Sequence, residues 1–80
     1  KSFGISKNGL DDTDIKLLKI LMEADSPVGI KTLGEILGED NETLIEVYEP
    51  FLLKSGYIEK TPRGRVITNK GKIVLESEDL

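Results

Sequence analysis

The most pointed chemistry in this sequence sits in six consecutive residues, Lys60-Thr61-Pro62-Arg63-Gly64-Arg65. Two guanidinium groups and an ammonium surround a Pro/Gly turn, and guanidinium forks match the geometry of phosphate oxygens. The stretch lies inside a wider cationic segment. Residues 54–72 hold Lys54, Lys60, Arg63, Arg65, Lys70 and Lys72 against Glu59 alone, a net +5. Residues 1–53 carry five Lys against eleven Asp/Glu, a net −6, and residues 73–80 add −3. The overall charge of −4 over 80 residues argues by itself against a nucleic-acid partner; its distribution argues for one confined region of contact.

Other chemistries find little support. With no Cys and no His the chain has neither a thiolate nor an imidazole, so disulfides, redox centres and the commonest metal ligand and general base are missing. Asp11, Asp12 and Asp14 lack the loop glycine and distal glutamate of a calcium-binding hand and read as helix-capping residues. Gly64 and Gly71-Lys72 resemble a phosphate loop only superficially: six residues intervene where four are required, and Ile73 holds the magnesium-binding Ser/Thr position. Asn41-Glu42-Thr43 is a glycosylation sequon by pattern only. The four aromatic residues Phe3, Tyr48, Phe51 and Tyr57 read as core. No catalytic, metal or cofactor site is expected. No apolar run approaches a membrane span, which implies a soluble, cytoplasmic protein with no membrane partner. A chain that starts at Lys1 without Met reads as a piece of something longer.

The elements that position the cationic turn follow from capping and periodicity. Residues 1–10, with Asn8-Gly9, read as a lead-in or linker that Phe3 and Ile5 can pin to the domain. Carboxylates at 11–14 open helix one, about Asp12 to Ala24, with Ile15, Leu18 and Met22 inward and Leu17, Ile20 and Leu21 widening the stripe. Ser26-Pro27 ends it, and Val28-Gly29-Ile30 suits a brief strand or the lead into helix two, Lys31–Leu37. Gly38 supplies a left-handed C-terminus and Asp40 caps helix three, whose inward residues are expected to be Leu44, Val47, Tyr48 and Phe51 with Ile45 and Leu52. Pro50 should kink or split that helix near Tyr48. Tyr57–Lys60 and Arg65–Thr68 then form a hairpin around Thr61-Pro62-Arg63-Gly64, and Thr68 or Asn69 caps a last short helix through about Leu75, weakened by Gly71. A domain over 11–76 and a frayed tail at 77–80 complete the chain.

Three helices, a hairpin and a short final helix describe a mainly α winged helix-turn-helix, with the hairpin as wing. Helix three is the element normally laid in the major groove, yet Glu42, Glu46 and Glu49 fall at i, i+4 and i+7 as a carboxylate stripe that phosphates would repel. The stripe is either a solvated face or a docking face for a basic partner. Arg63 and Arg65, flanking Gly64 at an exposed tip, are the expected DNA contacts. A wing that grips without a reading helix holds duplex backbone with little sequence preference. The alternatives are a winged helix used for protein–protein contact and, less favoured by the acidic helix, a transcriptional regulator.

Several blocks, in order, resemble the C-terminal domain of the RuvB family of bacterial Holliday-junction branch-migration helicases. They are Gly9–Asp14, Pro27–Leu33, Leu37–Asp40, Glu46–Leu52 and Thr61–Val66, of which E-V-Y-E-P-F-L and T-P-R-G-R-V are the most specific. The resemblance implies a parent with two preceding AAA+ ATPase domains that use ATP and magnesium, a homo-hexameric ring on duplex DNA or a four-way junction, and a junction-binding RuvA-like partner. It implies a bacterial cytoplasmic location and roles in recombination and repair. Arg63 and Arg65 match the family's DNA-contacting wing arginines; Lys60, Thr61 and Gly64 neighbour them. None of the ATP machinery lies within these residues. The shorter Glu23–Ser26 segment, Gly34 and the ending Asn69–Leu75 depart from the family's usual pattern.

Overall fold

A computed structural model describes residues 9–78. Helix α1 (Asp12–Glu23) starts in a reciprocal capping box: Asp14 N–H donates to the Asp11 carboxylate at 2.9 Å and Asp11 N–H donates to the Asp14 carboxylate at 3.1 Å. Two of the backbone donors that a helix start leaves unpaired are thereby satisfied. Leu10, read from sequence as part of the lead-in, is fully buried. It precedes the cap, where an apolar side chain secures the entry of the chain. The inward face of α1 is Leu17, Leu18 and Leu21, whereas Met22 is 39% exposed, so the stripe is rotated by about one position from the expected one.

The Asp14 side chain is buried in this arrangement, and that burial pushes its carboxyl up to about 6 from 3.8. A carboxyl raised in the folded state binds its proton more tightly there than in the unfolded chain. Stability therefore increases as pH falls from about 6 through 3.8, and is lower at neutral pH, where the buried group must ionise. Asp14→Asn keeps an oxygen for the Asp11 N–H and removes the ionisation. In urea titrations its stability relative to the parent should be about 2 kcal/mol more favourable at pH 7.5 than at pH 4. A relative stability independent of pH would contradict this account of Asp14.

Helix α2 (Ile30–Leu37) ends at Gly38, in the left-handed region at φ 73° as expected, and Asp40 caps the next helix by accepting from Thr43 N–H at 2.8 Å. Thr43, through its side chain first and this backbone bond second, holds the exposed Asp40 carboxyl below its ordinary range. The helical backbone from Asn41 to Ser55 is continuous but not uniform. An α-helical turn, α3 (Asn41–Thr43), passes into a π-helical turn (Leu44–Tyr48) and then into α4 (Glu49–Ser55). The sequence placed a disturbance near Tyr48, and Pro50 explains it. Proline has no N–H to give the carbonyl four residues back, and its ring crowds that carbonyl, so the turn before it widens.

The wide turn changes which residues face the core. In it Glu49 N–H bonds the Leu44 carbonyl, five residues back. Glu49 thus falls beneath Leu44 on the inward face, where an α-helix would have put Tyr48. Leu44, Glu49 and Leu52 are buried, while Ile45, Val47 and Phe51 are exposed to 44%, 59% and 37%, against the inward positions expected of them. The carboxylate stripe is corrected for the same reason: Glu42 and Glu46 stay on the surface, and Glu49 does not.

The hairpin pairs β1 (Ile58–Thr61) with β2 (Gly64–Ile67) antiparallel, Thr61 opposite Gly64 and Ile58 opposite Ile67. Its loop is Pro62-Arg63, the centre of the four-residue turn Thr61–Gly64 expected from sequence, and the paired strands reach Thr61 and Gly64 themselves. Val28 pairs with Arg65 as a one-residue third strand through bonds of 3.0 and 2.8 Å. Thr68 begins α5 (Asn69–Glu78): its hydroxyl accepts from Gly71 N–H at 3.0 Å and donates to the Gly56 carbonyl at 2.6 Å. Gly71, read as a weak point, is where α5 closes on the hairpin base. A Cβ there would stand 2.2 Å from the Tyr57 carbonyl oxygen. The helix runs to Glu78, past the Leu75 expected from sequence. Val74 and Leu75 complete the core, with α1 packed against α5, β2 and α2. The proposed pinning by Phe3 and Ile5, and the Asp79-Leu80 end, lie outside the described residues. Among the described residues no helix is long and apolar enough to cross a membrane.

Candidate nucleic-acid interface

The loop of the hairpin is organised by one hydroxyl. Thr61 Oγ1 donates to the Gly64 carbonyl at 2.8 Å and accepts from Arg63 N–H at 3.2 Å and Gly64 N–H at 3.1 Å. A threonine hydroxyl has one donor and two acceptor sites, and all three are used. Thr61, a candidate contact from sequence, instead shapes the turn and has no capacity left for a phosphate.

Gly64 is also displaced from its expected role. It is buried rather than at the tip, with φ 144°, and a Cβ on it would lie 2.5 Å from the Val28 carbonyl carbon and 2.8 Å from the Gly29 nitrogen. Its lack of a side chain lets β2 lie directly on the Val28-Gly29 backbone, immediately before α2. The wing is thus anchored to the helix-turn-helix along its second strand.

The two arginines part company here. Arg63 occupies the second loop position and is exposed. Arg65 follows Gly64 by one residue and turns inward, where its Nε forms an ion pair with Glu49; the two side chains are 11% and 5% exposed. The expectation that both arginines flank an exposed tip is therefore corrected for Arg65. Lys60 stands directly across the ladder from Arg65 and is exposed. Two cations in that relation repel, and the Glu49 carboxylate beneath Arg65 offsets one of them.

The remaining cations disperse along the molecule. Lys70 lies 5.7 Å from the centre of the Tyr57 ring, a cation–π arrangement at the hairpin base, and Tyr57 meets Phe51 edge-on at 6.3 Å. Lys54 occupies the last turn of α4, where the helix dipole favours a cation. Lys72 lines a shallow groove with Met22, Asp25 and Val66. The +5 segment thus divides between the outer wing, an internal pair, the hairpin base, the end of α4 and this groove. Arg63 and Lys60 are the cations it leaves on the outer part of the wing. The brief strand expected at Val28-Gly29-Ile30 is present as the single Val28–Arg65 pairing. Reading from sequence missed Glu49 as the group beneath the wing; the signal for it was Pro50, which should have warned that helical counting fails across residues 44–49.

The sequence profile of the RuvB C-terminal winged helix domain matches residues 7–76. The chain belongs to the RuvB C-terminal winged helix domain family. Among curated RuvB relatives, it is 49% identical over 73 residues to the Holliday junction branch migration complex subunit RuvB of Lactobacillus johnsonii, covering 89% of this chain and 22% of the relative. It is 52% identical over 68 residues to the subunit RuvB 2 of a Synechococcus strain, covering 82% and 18%. The solved Thermotoga maritima RuvB Holliday junction branch migration motor superposes with a TM-score of 0.84 at 43% identity, over 92% of this chain and 26% of that one. The chain thus spans about a quarter or less of the length of these RuvB proteins. The winged-helix architecture read from element order agrees with the RuvB likeness in sequence and in structure.

Proposed function

We propose that this chain is the DNA-gripping domain of a RuvB-type Holliday-junction branch-migration motor, holding duplex backbone through the wing tip with little sequence preference. The observation that carries the reading is Arg63. It sits exposed on a two-residue loop whose Thr61 hydroxyl is spent internally, and no carboxylate pairs with it among the described residues. Lys60 adds a second cation on the adjacent strand. Point charges on a rigid, narrow hairpin can meet phosphates without reading bases. In this reading, force comes from ATP- and magnesium-dependent domains elsewhere in a longer protein, arranged as a six-membered ring with a junction-binding RuvA-like partner in the bacterial cytoplasm. This domain grips, and hydrolysis belongs to those other parts.

The test is fluorescence anisotropy on a labelled duplex across salt concentrations. Arg63→Ala and Lys60→Ala should each reduce the slope of log affinity against log salt by about 0.9, the value for one phosphate contact. Two duplexes of unrelated sequence should give the same affinity within about threefold. Unchanged slopes in both variants would remove the wing from the interface.

One observation favours a second reading, a protein-docking winged helix. Ile45, and Val47, which the π-helical turn sends outward, share the exposed surface of the would-be recognition helix with Glu42 and Glu46. That surface is unsuited to phosphates. Absence of duplex binding at low salt by the isolated chain, together with saturable binding to another part of the motor, would select it.

A further inference from the structure

We infer that Arg65 is a positioning residue: through Glu49 it seats the wing on the helix-turn-helix, so that Arg63 is presented at a fixed place and angle. The inference rests on the reading of the wing tip as the DNA contact and assigns Arg65 a role distinct from it.

Three features converge on residues 64 and 65. The Val28–Arg65 backbone bonds hold β2 beside the start of α2. Gly64 permits that approach. The Arg65–Glu49 ion pair then ties the same strand to the middle of the long helix. A two-stranded hairpin has little stability of its own, so these ties decide where its tip points. The ion pair is nearly excluded from water, and a buried pair of this kind fixes one arrangement more than it adds net stability. Glu49 reaches it only because the π-helical turn brings the residue inward, one position out of phase with an α-helix. The widened turn therefore has a consequence at the wing. It delivers a carboxylate to the arginine that stands across the ladder from Lys60.

The sign of one substitution separates positioning from electrostatics. Glu49→Gln removes a negative charge from a protein that binds a polyanion. Charge alone predicts equal or tighter duplex binding. Positioning predicts binding weakened about tenfold, because the wing must be ordered at the moment of contact. The pair Glu49→Met with Arg65→Met keeps the chain buried at both places and removes the guanidinium, so it reports whether Arg65 itself meets a phosphate even if the single variant does not fold.

The experiment is anisotropy on the 80-residue chain across salt, with folding of every variant verified by circular dichroism. We expect Arg63→Ala to lose about 0.9 of slope and the double Met variant to keep the parent slope. We expect Glu49→Gln to bind about tenfold more weakly. A double Met variant that loses as much slope as Arg63→Ala, or a folded Glu49→Gln that binds as tightly as the parent or tighter, overturns the positioning role while leaving the wing-tip reading intact. An unchanged slope in Arg63→Ala overturns the wing-tip reading and the positioning role with it.

Discussion

Replacing Glu49 by Ala should lower the stability of the folded chain by about 3–5 kcal/mol, because it strands the Arg65 guanidinium in a site that is 11% exposed. At roughly 0.05–0.15 kcal/mol per residue, a domain of 80 residues has about 4–12 kcal/mol in total. The variant should therefore be marginal, with a urea midpoint well below that of the parent. The effect belongs to the uncompensated charge and not to the pair as such. Hydrophobic replacement of both partners at similar volume removes the desolvation penalty along with the attraction. The double Met substitution should accordingly recover most of the loss. A Glu49→Ala variant within about 1 kcal/mol of the parent would mean that the pair is open to solvent and does not seat the wing.

Alanine at Gly64 should be comparably damaging for a different reason. The backbone there has φ 144°, a region that costs an L-residue about 1–3 kcal/mol. The new methyl would also meet the Val28 carbonyl carbon at 2.5 Å, and that neighbour is backbone with no rotamer to yield. Relief requires opening the two Val28–Arg65 hydrogen bonds, each worth about 1 kcal/mol. A loss of about 3 kcal/mol is expected in urea unfolding. Amide exchange should lose protection at Val28 and Arg65, while the α1 amides exchange no faster than the lowered global stability dictates. Full protection at Val28 and Arg65 in a folded variant would show that the strand accommodates a side chain without leaving its seat.

These two effects share a cause that also explains what the sequence could and could not disclose. Caps and turns are local, and they were legible: Asp11 and Asp14 at the start of α1, Gly38 and Asp40 at the helix-turn-helix corner, Thr68 at α5. The hairpin was legible from Thr61-Pro62-Arg63-Gly64, although not the part the Thr61 hydroxyl plays in holding its turn. What escaped depended on phase. Counting four residues per step from Leu44 leads to Tyr48 and leaves Glu49 on the surface. The π-helical turn inserts one residue and exchanges them. The same shift turned Val47 outward and broke the supposed stripe of Glu42, Glu46 and Glu49. The destination of Arg65 then followed, since its partner is defined only once Glu49 is inside. The charge pattern was correct in locating the wing and too coarse to say which of its arginines is free.

The identity of the domain does not depend on those details. The match over residues 7–76, and the likeness to RuvB structures at a TM-score of 0.84, rest on the same helices and hairpin that the capping residues define. The contact surface is the part that separates one winged helix from another, because the fold also serves as a protein-docking module. Here the helical turns over residues 41–48 expose Glu42, Glu46, Ile45 and Val47, and the wing exposes Arg63 and Lys60.

The most direct measurement is therefore a map of amide shift perturbations on the isotope-labelled chain as a short duplex is added at low salt. If the wing grips the backbone, the largest changes fall on residues 59–65 and fade with added salt, while residues 41–48 move little. Perturbations concentrated on residues 41–48 with a silent wing would contradict the account.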